Sequence, residues 1–279
     1  MIKINGSEVE LGHFPDGTFH LKPEINKENP VIICWHFEDN DEMCALLFLT
    51  KHIRRLGVEK ITLKLPYIPN ARMDRVKNDN DVFTLKYFAD FINDLNFDKV
   101  IVLDPHSSVS EALIDRIEVQ TPKSLIKHVI AEIGAINNFR TERPLLAFYP
   151  DEGAMKRYSD MSSMAYAFGI KKRDWETGKI LGLDVSGDSH LIPHSDILII
   201  DDISSRGGTF YHSAKKLKEL GAGKIYLCVT HCEKTIFEGE VFKSGLIDKV
   251  FTTNSIFTPK VQEYAKSIGL ADKIEVFNI

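Results

Sequence analysis

The chain has 279 residues, of which 43% are hydrophobic and 27% charged, and it carries a formal net charge of −5. That length suits two compact α/β units or one large one, with enough apolar residues for a sizeable core, and the composition excludes an intrinsically disordered chain. The basic residues are dispersed apart from Lys171-Lys172-Arg173, so the basic face of a nucleic-acid binder is missing.

Cys34, Cys44, Cys228 and Cys232 make no Cys-x-x-Cys pair, which predicts buried, reduced thiols rather than a zinc site or a disulfide. Met1-Ile2-Lys3-Ile4-Asn5 has no apolar signal-peptide core, and no apolar run is long enough to cross a bilayer. A cytoplasmic protein without a membrane partner is expected.

In chain order, the first signal is His13-Phe14-Pro15-Asp16-Gly17-Thr18, whose Pro-Asp-Gly predicts a β-turn. A strand follows at 31–37. A helix over 41–56 carries Leu46, Leu49, Ile53 and Leu56 on one stripe, and Gly57 stops it. The next strand, 60–65, runs into Leu65-Pro66-Tyr67-Ile68-Pro69-Asn70-Ala71-Arg72-Met73-Asp74-Arg75. There Arg72 and Arg75 offer forked donors suited to a triphosphate, and Asp74 is placed to orient one of them. A strand at 99–104 ends in Asp104-Pro105-His106. The spacing divides the chain near residue 120, into 1–120 and 121–279, with the loop at 137–143 as the alternative boundary.

In the second half, a strand at 145–149 leads into Tyr149-Pro150-Asp151-Glu152-Gly153-Ala154. The cationic Lys171-Lys172-Arg173 comes next, followed by a polar stretch, 174–178, that reads as a hinged flap. Strands are expected at 180–185, 197–201, 224–229, 249–252 and 273–276. Most are rich in Val, Ile and Leu with little alternation, the mark of strands buried on both faces of parallel sheets. A helix over 209–220 carries Phe210, Ala214 and Leu217, with Gly221 as its stop.

The strongest motif joins the strand at 197–201 to this helix. The apolar strand Ile197-Leu198-Ile199-Ile200 delivers Asp201 and Asp202, and Ile203-Ser204-Ser205-Arg206-Gly207-Gly208-Thr209 opens the helix. Glycines let backbone approach a phosphate, and a helix N-terminus points N–H groups at it. The paired carboxylates suit ribose hydroxyls or a hydrated Mg²⁺.

This loop resembles the phosphoribosyl-diphosphate (PRPP) loop of type I phosphoribosyltransferases and of ribose-phosphate pyrophosphokinases. The segment 65–75, which carries Arg72, Asp74 and Arg75, resembles the ATP-binding strand and loop of the second family, which phosphoribosyltransferases lack. His13 to Thr18 resembles that family's Phe-x-Asp-Gly-Glu turn, Asp104-Pro105-His106 its Asp-Leu-His, residues 150–154 its Pro-Asp-x-Gly-Gly loop, and Lys171-Lys172-Arg173 its catalytic-loop cations. Gly221-Ala222, Val229-Thr230-His231 and Thr253-Asn254-Ser255-Ile256 also match. The resemblance runs from Phe14 to about Asn278.

The resemblance implies two phosphoribosyltransferase-like, Rossmann-like α/β domains with mostly parallel sheets. It implies Mg²⁺-dependent transfer of diphosphate from ATP, the co-substrate, to the anomeric hydroxyl of ribose 5-phosphate or an acceptor containing it. Phe14 would stack on adenine across a subunit boundary and Asp16 would accept its amino group, with Arg72, Asp74, Arg75 and His106 completing the ATP site. His106 and Asp151 would be metal ligands. Asp201, Asp202, Ser204, Ser205, Arg206, Gly207, Gly208 and Thr209 would hold the ribose phosphate, and Lys171, Lys172 and Arg173 would be catalytic. A homo-oligomer, dimer or hexamer, is implied as well.

Several positions depart from the family. Thr18 replaces a Glu and Ala154 a Gly. The segment before Phe14 is abbreviated, and the chain stops where the family adds a last helix. In the PRPP loop an acid is lost and Arg206 gained, which suits an acceptor more highly charged than a monophosphate, such as ADP-ribose. A phosphoribosyltransferase consuming PRPP and a non-catalytic nucleotide-binding relative are the remaining alternatives.

Overall fold

The computed structural model describes residues 1–26, 30–137, 143–173 and 180–279, and for 171–173 and 180–183 the backbone alone. It divides into two compact units, Met1–Thr121 and Pro122–Ile279.

The first unit opens with β1 (Ile2–Ile4), β2 (Ser7–Glu8) and a ribbon of β3 (Gly12–His13) and β4 (Phe19–His20). Strands β5 (Val31–Trp35), β6 (Ile61–Leu65), β7 (Lys99–Leu103) and β8 (Ile117–Gln120) follow. They are joined through helices α1 (Asp41–Arg55), α2 (Thr84–Asp94) and α3 (Ser108–Leu113). The sheet order is β2-β1-β5-β6-β7-β8. From β5 to β8 neighbours pair in parallel, whereas β1 runs antiparallel to both β2 and β5. Helix α1 buries Leu46, Leu49 and Ile53, as its spacing predicts, and also Glu42. That buried carboxylate accepts from Trp35 Nε1 and from Glu38 N, each at 2.8 Å, and pairs with the Met1 amino group. Trp35 is fully buried.

The second unit contains α4 (Lys123–Ile136), β9 (Leu145–Tyr149), α5 (Glu152–Tyr158), β10 (Tyr166–Arg173), β11 (Ile180–Gly187) and β12 (Asp196–Ser204). It continues with α6 (Gly208–Glu219), β13 (Ile225–Cys232), α7 (Glu240–Lys243), β14 (Lys249–Thr253), α8 (Pro259–Ser267) and β15 (Ile274–Phe277). The sheet order is β11-β10-β9-β12-β13-β14-β15, and only the β10–β11 pair is antiparallel. The unbroken apolar runs have a direct cause. Successive strand residues face opposite ways, so Leu146 and Phe148 join one core with Ile197, Ile199 and Leu217. Ala147 and Tyr149 join another with Leu198, Ile200 and Val129.

Six strands lie outside the sequence expectation: β1, β2, β3, β4, β8 and β10. The first four are only two or three residues long. In β8 the exposure alternates and in β10 the chain ends on three cations. The cationic cluster, expected in a loop, is therefore strand at backbone level, with Lys171 opposite Leu183 and Arg173 opposite Ile180. The expected flap at 174–178 lies outside the described residues. Strand β12 also runs past the expected end at Asp201 to Ser204, because β13 continues beside it and pairs Ile203 with His231 and Ser204 with Cys232. None of the four cysteines is in a disulfide, but only Cys228 and Cys232 are buried; Cys34 is half-buried and Cys44 is exposed on α1.

Candidate functional site

In parallel α/β sheets, ligands bind beyond the carboxyl ends of the strands. In the second unit, β10, β9 and β12 are consecutive parallel neighbours. Their carboxyl ends carry Lys171–Arg173 in backbone position, Asp151, and the loop from Ser205 to Gly208.

Asp151 caps α5 by accepting from Ala154 N at 3.1 Å. Asp202 is buried, and its Oδ2 lies 3.6 Å from Arg157 Nη1. Asp201, half-buried, accepts from Asp202 N at 3.0 Å. Burial first, then the Asp202 carboxylate and more weakly Asp151, hold the Asp201 carboxyl well above the usual carboxylate range. Asp151 and Asp202 thus both raise Asp201, and all three acids belong to the carboxyl ends of β9 and β12. Such a set gains from a cation or from hydroxyl donors.

The loop that follows is built to expose amides. Gly207 is left-handed, with φ 71°, and caps α6. A Cβ there would run into the Val241 side chain, whereas one on Gly208 would meet only open space. Open space in front of a glycine at a helix N-terminus is where a phosphate can approach backbone N–H groups. Ser204 is fully buried. Ser205 Oγ is 3.2 Å from Thr235 Oγ1, which donates to Glu233 Oε2 at 3.0 Å. Thr209, half-buried, begins the helix beyond Gly208.

Arg206 is largely exposed. Its Nε and Nη2 both donate to Glu238 Oε2, at 3.1 and 3.0 Å. Its partner is therefore on the segment after β13, 32 residues away, rather than an acid of the neighbouring motifs. Gly239 lies so close that a Cβ there would strike the Arg206 carbonyl oxygen. Thr235, Glu238, Gly239 and Val241 brace the loop, and sequence reasoning missed them all. The Gly239 that follows Glu238 was the one available signal of close backbone approach.

In the first unit, the Arg72–Arg75 stretch and His106 lie on the loops after the carboxyl ends of neighbouring parallel strands β6 and β7. Arg75 Nε donates to Asp74 Oδ1 at 3.1 Å, so Asp74 orients Arg75, and both arginines are exposed. His106 is half-buried and follows Asp104, which is buried with φ 43°. Phe14, exposed, stacks on His20 with ring centroids 4.5 Å apart. The Asp16 carboxylate accepts from Thr18 Oγ1 at 2.7 Å and Thr18 N at 3.0 Å. Those two bonds, the hydroxyl's first, hold its carboxyl below the usual range. The residue standing in place of the family's Glu is thus the one that fixes Asp16.

Among the described residues, no group of three or more His, Cys, Asp or Glu side chains is gathered to cage a metal ion, and no helix is long and apolar enough to cross a membrane.

A model of the N-terminal domain of ribose phosphate pyrophosphokinase matches residues 1–95. The ribose-phosphate pyrophosphokinase of Thermococcus kodakarensis is 27% identical over 265 residues, covering 90% of this chain and 87% of that relative. The chain is a relative of the ribose-phosphate pyrophosphokinases. The ribose-phosphate pyrophosphokinase of Aquifex aeolicus is 29% identical over 267 residues, covering 94% of this chain and 77% of its own. The phosphoribosylpyrophosphate synthetase of Mycobacterium smegmatis superposes with a TM-score of 0.73 at 18% identity, over 98% of this chain and 86% of that one. That likeness shows the fold, and the expected phosphoribosyltransferase-like α/β architecture of a pyrophosphokinase relative is the one observed.

Proposed function

We propose that this pyrophosphokinase relative is a diphosphotransferase that moves the β,γ-diphosphate of ATP to the anomeric hydroxyl of ribose 5-phosphate, giving AMP and PRPP. The observation that carries this reading is the joining of Asp201 and Asp202, whose charges oppose one another, to an amide loop that is open at Gly208, in a chain whose relatives bear that enzyme's name.

Asp201 and Asp202 take the ribose hydroxyls. The 5-phosphate sits on the amides of Ser205 to Gly208 at the α6 N-terminus, with Ser204 and Thr209 around it and Arg206 contributing its backbone. Arg72, Arg75 and Asp74 hold the ATP phosphates, while Phe14 and Asp16 address the base. Lys171, Lys172 and Arg173 stabilise charge that builds on the bridging oxygens, which is most of what phosphoryl transfer asks of a protein.

The three acids fit a Mg²⁺ that keeps most of its waters and leans on substrate phosphates rather than on a protein cage. Asp151 would be a metal ligand in this unit and His106 a metal ligand in the first unit, and Mg²⁺ when bound would neutralise charge on the diphosphate. The protein would be cytoplasmic and homo-oligomeric, a dimer or hexamer, which light scattering on the purified chain would measure.

A second reading, with ADP-ribose as the acceptor and a role in NAD metabolism, is favoured by Arg206. Its guanidinium is largely exposed and held by one exposed carboxylate, so a second phosphate can compete for it. The test is AMP release from ATP with Mg²⁺ and each acceptor in turn. No AMP with either acceptor, or full activity in EDTA, would overturn the reading.

A further inference from the structure

The segment after β13 does more than cover the phosphate loop. Glu233 N donates to Ser204 O at 2.8 Å, Thr235 bridges Glu233 and Ser205, and Gly239 abuts the backbone of Arg206. The backbone of the loop is therefore fixed from one side. Its one long cationic side chain is fixed as well, by two bonds to a single oxygen of Glu238. Among the described residues, no other hydrogen bond from the Arg206 guanidinium is found.

We infer that Glu238 is a specificity-determining residue: by engaging the Arg206 guanidinium it sets how much negative charge an acceptor must bring before that guanidinium joins the site. This rests on the acceptor reading above and deepens it. A single phosphate on the amides of a helix N-terminus is already well satisfied. It has little to offer that would draw Arg206 from Glu238. A second phosphate beyond the first would otherwise lie unpaired. An ion pair as exposed as this one shifts an equilibrium by at most about fivefold. A charge-assisted bond to phosphate shifts one by about ten- to a hundredfold. The exchange of Glu238 for a second phosphate is thus downhill, while exchange for a lone monophosphate is not.

Glu238 is itself exposed, so Glu238→Gln, which keeps the shape and removes the charge, leaves the fold intact. The experiment compares wild type, Glu238→Gln, Arg206→Thr and the double variant. It reads KM and kcat for ribose 5-phosphate and for ADP-ribose by AMP release, with calorimetric binding of each acceptor alongside. Glu238→Gln is expected to tighten ADP-ribose about two- to fivefold, in KM and in binding, with kcat and ribose 5-phosphate affinity unchanged. The gain should shrink with added salt and vanish in the Arg206→Thr background. If wild type uses ribose 5-phosphate but Glu238→Gln tightens both acceptors equally, or neither, or the gain survives Arg206→Thr, the role of Glu238 is overturned and the reaction stands. If ADP-ribose is neither bound nor turned over by any of the four proteins, the role of Glu238 is likewise overturned. If wild type neither binds nor uses either acceptor, the reaction itself falls, and this inference with it.

Discussion

Two adjacent glycines in the phosphate loop have opposite surroundings, and they should respond to the same substitution in opposite ways. Gly207 needs its positive φ and has Val241 against it. Gly207→Ala is expected to cost about 1–3 kcal/mol of stability and to raise the acceptor KM together with it. Gly208 begins α6 and faces open space. Gly208→Ala should leave the melting temperature unchanged or slightly raised, since alanine favours helix, yet raise the acceptor KM because a methyl group stands where the phosphate approaches. Melting curves and acceptor KM values for the two variants check this. An unchanged KM in Gly208→Ala would mean that phosphate does not contact that amide.

Asp201 adds a pH dependence at the same scale. Its carboxyl titrates above the ordinary value of 3.8 in the fold, through burial and the Asp202 and Asp151 charges. The folded protein therefore holds this proton more tightly than the unfolded chain does. The resulting stability is fully present below the unfolded pKa, and it is lost as pH rises through the folded one. Above the ordinary carboxylate range this carboxyl therefore weakens the fold, so Asp201→Asn should melt higher than wild type at about pH 7.5 while losing turnover. The difference should close as both become neutral at low pH. Equal melting temperatures at every pH would show that the carboxyl is not under this strain.

The acids themselves were legible in the sequence because an apolar strand delivering Asp201-Asp202 into a glycine pair is a local pattern. The partner of Arg206 was not. Glu238 is far along the chain, and nothing in a lone Glu tells which turn will fold back beside the loop.

Among elements, the long apolar strands were readable because burial on both faces leaves no alternation to misread. Strand β10 escaped for the opposite reason: its single parallel contact is to β9, its other neighbour β11 is antiparallel, and its end is polar. This hairpin carries the cations proposed for catalysis. Replacing Lys171, Lys172 and Arg173 together by Ala is expected to lower kcat by ~10²-fold or more, the usual effect of losing a key charge-stabilising donor. The melting temperature should hardly move, since the ladder between β10 and β11 is made by backbone. If kcat survives within a few fold, the cluster is surface charge.

At the scale of the whole molecule, each unit has its own sheet and its own buried core, Met1–Thr121 around Trp35 and Leu63, and Pro122–Ile279 around Phe148 and Leu227 on one sheet face and Tyr149 and Leu198 on the other. A unit with its own core can fold alone. Residues 122–279 expressed by themselves should give a cooperative melt and bind ribose 5-phosphate calorimetrically, but release no AMP from ATP, because Arg72, Arg75 and His106 belong to the other unit. A fragment that melts without cooperativity, or that still releases AMP, would contradict this division of labour. In the sequence, two series of strands each ending in acidic residues or His are what led to the expectation of two domains.

The chain contains two tryptophans, Trp35 and Trp175, so each unit owns one indole. Trp35 is sealed from water and its Nε1 is bound to a buried carboxylate. In a Trp175→Phe background the protein's indole fluorescence therefore comes from the first unit alone. Its emission shifts to the red when that unit opens and is blind to the second, which lets the two unfolding events be followed separately in one intact chain.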